Sequence, residues 1–100
     1  MSNPKEELNA IRDRINEIDE QLIILMAERC RFAGDIARLK MKLNMPINDE
    51  KREQEIQKKI IELCNKHNFN SDLALNVLNI LIEYNKEMQM KELEKEKIFK

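Results

Sequence analysis

The strongest constraint in this chain is a seam of apolar residues at alternating steps of three and four. It runs Leu8, Ile11, Ile15, Ile18, Leu22, Leu25, then Arg29, then Phe32, Ile36, Leu39. That spacing is the signature of one face of a continuous helix. The face is apolar at every step but one, and the exception is an arginine. A guanidinium in a buried stripe is costly unless something anionic meets it. Arg29 therefore has either a buried acidic partner within the protein or an anionic ligand.

The same seam sets the architecture. A helix from about residue 5 to Lys42 makes a rod of about 55 Å at 1.5 Å per residue, whereas a compact chain of 100 residues has a radius of gyration near 13 Å. The rest of the chain is too short to cover such a rod. Its seam is expected to pack on a second copy, which predicts an intertwined homodimer. Composition agrees with helices throughout: one Gly, two Pro, no Trp, and abundant Leu, Ile, Lys and Glu. Gly34 is an interior weak point of the rod, costing about 1 kcal/mol relative to Ala.

Pro46 ends the first helix, because proline disfavours helix in the residue before it. Asn48 or Asp49 then offers a cap for a second helix carrying Ile56, Ile60, Leu63 and Cys64 on one face and stopping near His67-Asn68. Phe69 is placed to tuck back as a loop anchor. Asn70, Ser71 and Asp72 offer caps for a third helix with Ala74, Val77, Leu78, Leu81, Ile82 and Met88 facing inward. Residues 91–100 alternate acidic and basic groups around Leu93, Ile98 and Phe99, and read as a charged, fraying helical tail. The expectation is an all-α chain of three helices, one domain over residues 1–100, with no strand signal.

Several function classes drop out. A net charge of -1 gives no global attraction to nucleic acid or anionic membrane. No apolar stretch approaches the roughly 20 residues of a membrane helix, and the N-terminus lacks the apolar segment of a signal peptide. Cys30 and Cys64 lack metal-ligand spacing and read as reduced cysteines of a cytoplasmic protein. His67 sits in a loop with no Cys, Asp or His at metal spacing beside it. There is no Ser-His-Asp pattern and no glycine-rich phosphate loop.

What remains is a set of polar residues interrupting apolar faces. Arg29 and Lys40 stand 11 residues apart, about 20° of rotation and about 16 Å along one helix. Arg12 lies about 25 Å from Arg29 and about 100° off its face, out of reach of a small ligand held by Arg29 of its own chain. Alone it is a surface arginine; in an antiparallel dimer the partner's Arg12 swings near. Arg52 and Glu53 head the second helix, as a surface charge pair or as a carboxylate facing a pocket. Asp49 is a helix cap whose backbone is also available to a ligand. Leu81, Asn85 and Gln89 form a stripe that turns from apolar to amide, either running out of the core into water or supplying neutral donors to a site. Together, Arg29, Lys40, Arg52 and a partner's Arg12 against Glu53 suit a small dianion bearing a hydroxyl. No nucleophile or general base accompanies them, so the chemistry needs only position and electrostatics.

These residues fall in the segments Ile11-Arg-Asp-Arg-Ile-Asn-Glu-Ile-Asp19, Leu25-Met-Ala-Glu-Arg29, Ile36-Ala-Arg-Leu-Lys40, Pro46-Ile-Asn-Asp49-Glu-Lys-Arg52-Glu53 and Ile82-Glu-Tyr-Asn85-Lys-Glu-Met-Gln89. In that order and spacing they resemble the all-helical, type II chorismate mutases, from about Leu8 to Gln89. The resemblance implies a cofactor-free cytoplasmic enzyme that rearranges chorismate to prephenate, toward phenylalanine and tyrosine, as an intertwined dimer with shared active sites. It also implies roles. Arg29 and the partner's Arg12 grip the two carboxylates. Lys40 and Gln89 donate to the ether oxygen whose bond breaks. Glu53 and the Asp49 backbone hold the ring hydroxyl, and Arg52 and Asn85 complete the wall. Asn85 stands where serine is frequent in the family. Two rivals share the helices: a lyase of the same fold that eliminates pyruvate from isochorismate, and a non-catalytic dimerisation module with Arg29 salt-bridged inside.

Overall fold

The computed structural model describes residues 3–98, with side chains to residue 96. Phe99 and Lys100 of the expected tail lie outside the described residues, as does the side chain of Ile98. Three helices follow one another: α1 (Pro4–Lys42), α2 (Glu50–His67) and α3 (Ser71–Ile98). Among the described residues there is no strand, and no helix is long and apolar enough to cross a membrane.

Each helix end has a local cause. Asn3 caps α1, accepting from the Glu6 backbone N–H at 2.8 Å, and Pro4 takes the first helical position, where its missing N–H costs nothing. Glu6 and Glu7 in the first turn and Lys40 and Lys42 in the last complement the helix dipole. The chain leaves α1 through Asn44, at φ 55°, a left-handed conformation that asparagine tolerates. Asp49 caps α2, its side chain accepting from Arg52 N–H at 3.1 Å. At the other end Asn68 adopts φ 53°, and the backbone N–H groups of Asn68 and Phe69 both point to the Cys64 carbonyl. That turn sends the Phe69 side chain outward, 54% exposed. The expected loop anchor is therefore corrected: the loop is held by its backbone. Asn70 caps α3 through Leu73 N–H at 3.0 Å.

Backbone contacts divide the chain into two compact units, Met1–Cys30 and Arg31–Lys100. The first is the N-terminal part of α1. All its described residues up to Leu25 are exposed, including the seam residues Leu8, Ile11, Ile15, Ile18, Leu22 and Leu25. The second unit holds the end of α1, all of α2 and the described part of α3. There α2 and α3 pack on each other, and Glu53 near the start of α2 meets Lys86, about four turns into α3, as in a helical hairpin. The most buried apolar residues are small: Ala33, Ala37 and Cys64. Beside the two alanines Arg38 reaches from α1 to Glu92 on α3 at 2.5 Å and also pairs with Asp35.

Candidate functional site

Six of the residues singled out from the sequence lie in the second unit. On α3, Asn85 and Gln89 are one turn apart and buried, at 8% and 7% exposure. The stripe that turns from apolar to amide thus stays inside. Asn85 Nδ2 contacts Met88 Sδ at 3.9 Å. Gln89 Oε1 is buried without a hydrogen-bond partner. An unsatisfied buried amide oxygen costs about 1–3 kcal/mol, and such a group calls for a reason for its retention.

Lys40 is half-buried in the last turn of α1. Its ammonium donates to the Ile47 carbonyl at 2.7 Å, and its own carbonyl accepts from Met45 N–H at 2.8 Å. Side chain and backbone together fold the connection back on the helix end. An ammonium has three donors, so this bond orients Lys40 and leaves others for a ligand.

At the head of α2, Asp49 is half-buried as the N-cap, and Glu53 N–H donates to its carbonyl at 3.0 Å. Arg52 is exposed and pairs with Glu55 at 3.5 Å. Glu53 is half-buried, and its Oε1 lies 2.5 Å from Lys86 Nζ on α3. Lys86 also donates to Asn48 Oδ1 at 3.0 Å and to Glu83 Oε1 at 3.2 Å. Its ammonium titrates above the usual lysine value, chiefly because Glu53 accepts its hydrogen bond, with Glu83 assisting and partial desolvation opposing.

Sequence reasoning missed Lys86. The signal available was its place three residues before Gln89, flanking the stripe of the amides. It also missed the Arg38–Glu92 bridge, which holds the Arg38 guanidinium above its ordinary value. Arg12 and Arg29 belong to the first unit, Arg12 exposed and Arg29 half-buried.

Comparison with known proteins gives a consistent result. Residues 11–90 match the family described as chorismate mutase type II. A chorismate mutase of Methanocaldococcus jannaschii is 43% identical over 89 residues, covering 89% of this chain and 90% of that protein. A bifunctional chorismate mutase/prephenate dehydratase of Enterobacter agglomerans is 33% identical over 81% of this chain, which spans only 21% of that longer protein. The NMR structure of a monomeric chorismate mutase from Methanococcus jannaschii superposes with a TM-score of 0.68 at 38% identity, over 90% of this chain and 94% of that one.

Proposed function

The chain belongs to the chorismate mutase type II family, and on that premise we propose how it converts chorismate to prephenate: by restraint and electrostatics, with no covalent intermediate and no proton transfer. The reaction breaks the ether C–O bond and forms a C–C bond within one six-atom ring of moving electrons. It needs the flexible enolpyruvyl arm folded over the ring, and it needs somewhere for negative charge on the ether oxygen to go.

Gln89 is the observation that carries this reading. Its side chain is buried, and its amide is not spent on a hydrogen bond among the described residues, so the amide N–H is available to an acceptor on a ligand. We assign the Gln89 amide N–H and the Lys40 ammonium to the ether oxygen, where their hydrogen bonds strengthen as C–O cleavage runs ahead of C–C formation; the Gln89 oxygen, an acceptor, takes no part in that contact. Glu53 accepts from the ring hydroxyl and the Asp49 backbone assists. Asn85 and Arg52 complete the wall. Arg29 and Arg12 of the partner subunit take the two carboxylates, a geometry that asks for guanidinium forks.

The partner subunit enters because of the seam. Leu8, Ile11, Ile15, Ile18, Leu22 and Leu25 are between 42% and 58% exposed, a contiguous apolar stripe of the kind that marks an interaction surface. A second copy, antiparallel along that stripe, covers it and supplies Arg12. The same reading places the enzyme in the cytoplasm, in keeping with Cys30 and Cys64 as thiols rather than a disulfide, and treats the chain as one catalytic domain.

The test is direct. Purified protein is added to chorismate, the loss of its ultraviolet absorbance is followed, and the product is identified. Prephenate is expected. Pyruvate released from isochorismate alone would reassign the site to the lyase reaction, and no turnover of either would overturn the reading.

A further inference from the structure

Glu53 has a difficulty that the family roles leave open. It stands near the start of α2 with a flexible side chain, beside Arg52, whose guanidinium turns to Glu55. Nothing on α2 itself fixes its carboxylate. The group that does so comes from α3. Lys86 Nζ meets Glu53 Oε1 at 2.5 Å, with the two side chains only 21% and 26% exposed.

The rest of the Lys86 environment shows what kind of contact this is. An ammonium has three N–H donors and no acceptor. Here three acceptors surround it: Glu53 on α2, Asn48 in the α1–α2 connection, and Glu83 one turn back on α3. No donor is left over for a substrate. The engaged Glu53 oxygen is Oε1, which leaves Oε2 to accept from a hydroxyl. Asn48 immediately precedes Asp49, so the same ammonium also fixes the chain at the residue whose backbone borders that hydroxyl.

We propose that Lys86 is a positioning residue for the reaction: it clamps the Glu53 carboxylate and the Asn48–Asp49 backbone in the orientation that receives the substrate's ring hydroxyl, without touching substrate itself. This rests on the assignment of Glu53 above. It makes α3 contribute twice to the site, through Gln89 at the breaking bond and through Lys86 at the hydroxyl end.

The experiment uses the full chain with Lys86→Met, Lys86→Arg, Glu53→Gln and the double variant Glu53→Gln/Lys86→Met, with Lys86→Gln as the substitute should the methionine variant not fold. Thermal unfolding and sedimentation establish that each is folded and in the wild-type oligomeric state. A hydroxyl held in ground state and transition state alike acts mainly on KM. Lys86→Met should therefore raise KM about tenfold while kcat stays within about threefold of wild type. Lys86→Arg should recover most of that loss, since a guanidinium can still reach the carboxylate. In the Glu53→Gln background, Lys86→Met should change kcat/KM by no more than about threefold, the share carried by the remaining Asn48 contact, because the clamp then has no carboxylate to hold. A purely structural lysine would lower activity equally in both backgrounds, and that result would overturn the proposal. So would a Lys86→Met enzyme within twofold of wild type in KM. A wild-type chain that does not consume chorismate would instead overturn the functional reading on which the proposal stands.

Discussion

Replacing Lys40 with alanine separates structure from catalysis, because its observed structural contribution and its proposed catalytic one differ in size. Structurally the ammonium makes one hydrogen bond, to the Ile47 carbonyl at 2.7 Å, from a half-buried position. Losing a bond of that kind costs about 1–2 kcal/mol, at the low end here because water can reach a half-buried carbonyl. For a domain of this size, that lowers Tm by about 4–8 °C per kcal/mol. Catalytically, a preorganised donor aimed at developing oxyanion charge is worth about 3–4 kcal/mol, or a factor of about 100–1,000 in kcat. Lys40→Ala should therefore remain folded and associated while kcat and kcat/KM fall together by two to three orders of magnitude. Initial rates from chorismate absorbance give the kinetic side. Unfolding followed by circular dichroism gives the stability side, at one fixed protein concentration because Tm of the proposed dimer depends on it. A variant within about threefold of wild type in kcat would refute the assignment. A rise in KM with kcat unchanged would leave Lys40 as a binding group only.

Three further outcomes follow, one from the proposed dimer and two from the structure. Mixed and refolded Arg12→Ala and Arg29→Ala chains should regain activity that neither has alone, since each heterodimer holds one intact site; verified heterodimers without activity would argue against sites shared between subunits. Gly34→Ala should stabilise the chain by about 0.5–1 kcal/mol in thermal unfolding, because the added Cβ meets Arg38 Nη1 at 3.6 Å and Glu92 Oε2 at 3.7 Å, ordinary contact distances, and the glycine backbone has no positive φ. The Lys86 ammonium titrates above its ordinary value of 10.5 through its bond to Glu53, so its contribution to stability is complete below that value and is lost as pH rises through the folded-state titration. Wild type should accordingly lose more stability than Lys86→Met across that alkaline range, measured by urea unfolding.

The helix ends were legible because their causes are local. Pro4, Asp49, Asn68 and Asn70 each act within a few residues, and the structure uses Asp49 and Asn70 as caps of the second and third helices. The long seam of the first helix was equally legible, since period alone tells which residues share a face. Period does not tell what covers that face, and Leu8 to Leu25 stand exposed on the single chain. Phe69 went the other way from expectation because one left-handed residue, Asn68, redirects the chain just before it.

The clamp on Glu53 was out of reach for a different reason. Lys86 and Asn48 are 38 residues apart in sequence, and whether a long lysine meets a given carboxylate depends on the relative register of α2 and α3. Hydrophobic period fixes the rotation of each helix but not its slide along its neighbour. The amide stripe shows the same division. From the sequence, Leu81, Asn85 and Gln89 describe equally well a core stripe running into water and a polar wall inside a site. Burial tells against the run into water: Asn85 and Gln89 are among the least exposed of the described residues, and Gln89 keeps an unpartnered oxygen. A stripe running into water would have let that oxygen find a hydrogen bond at no cost, and its isolation is why Gln89 enters the site as a proposal rather than as a surface amide.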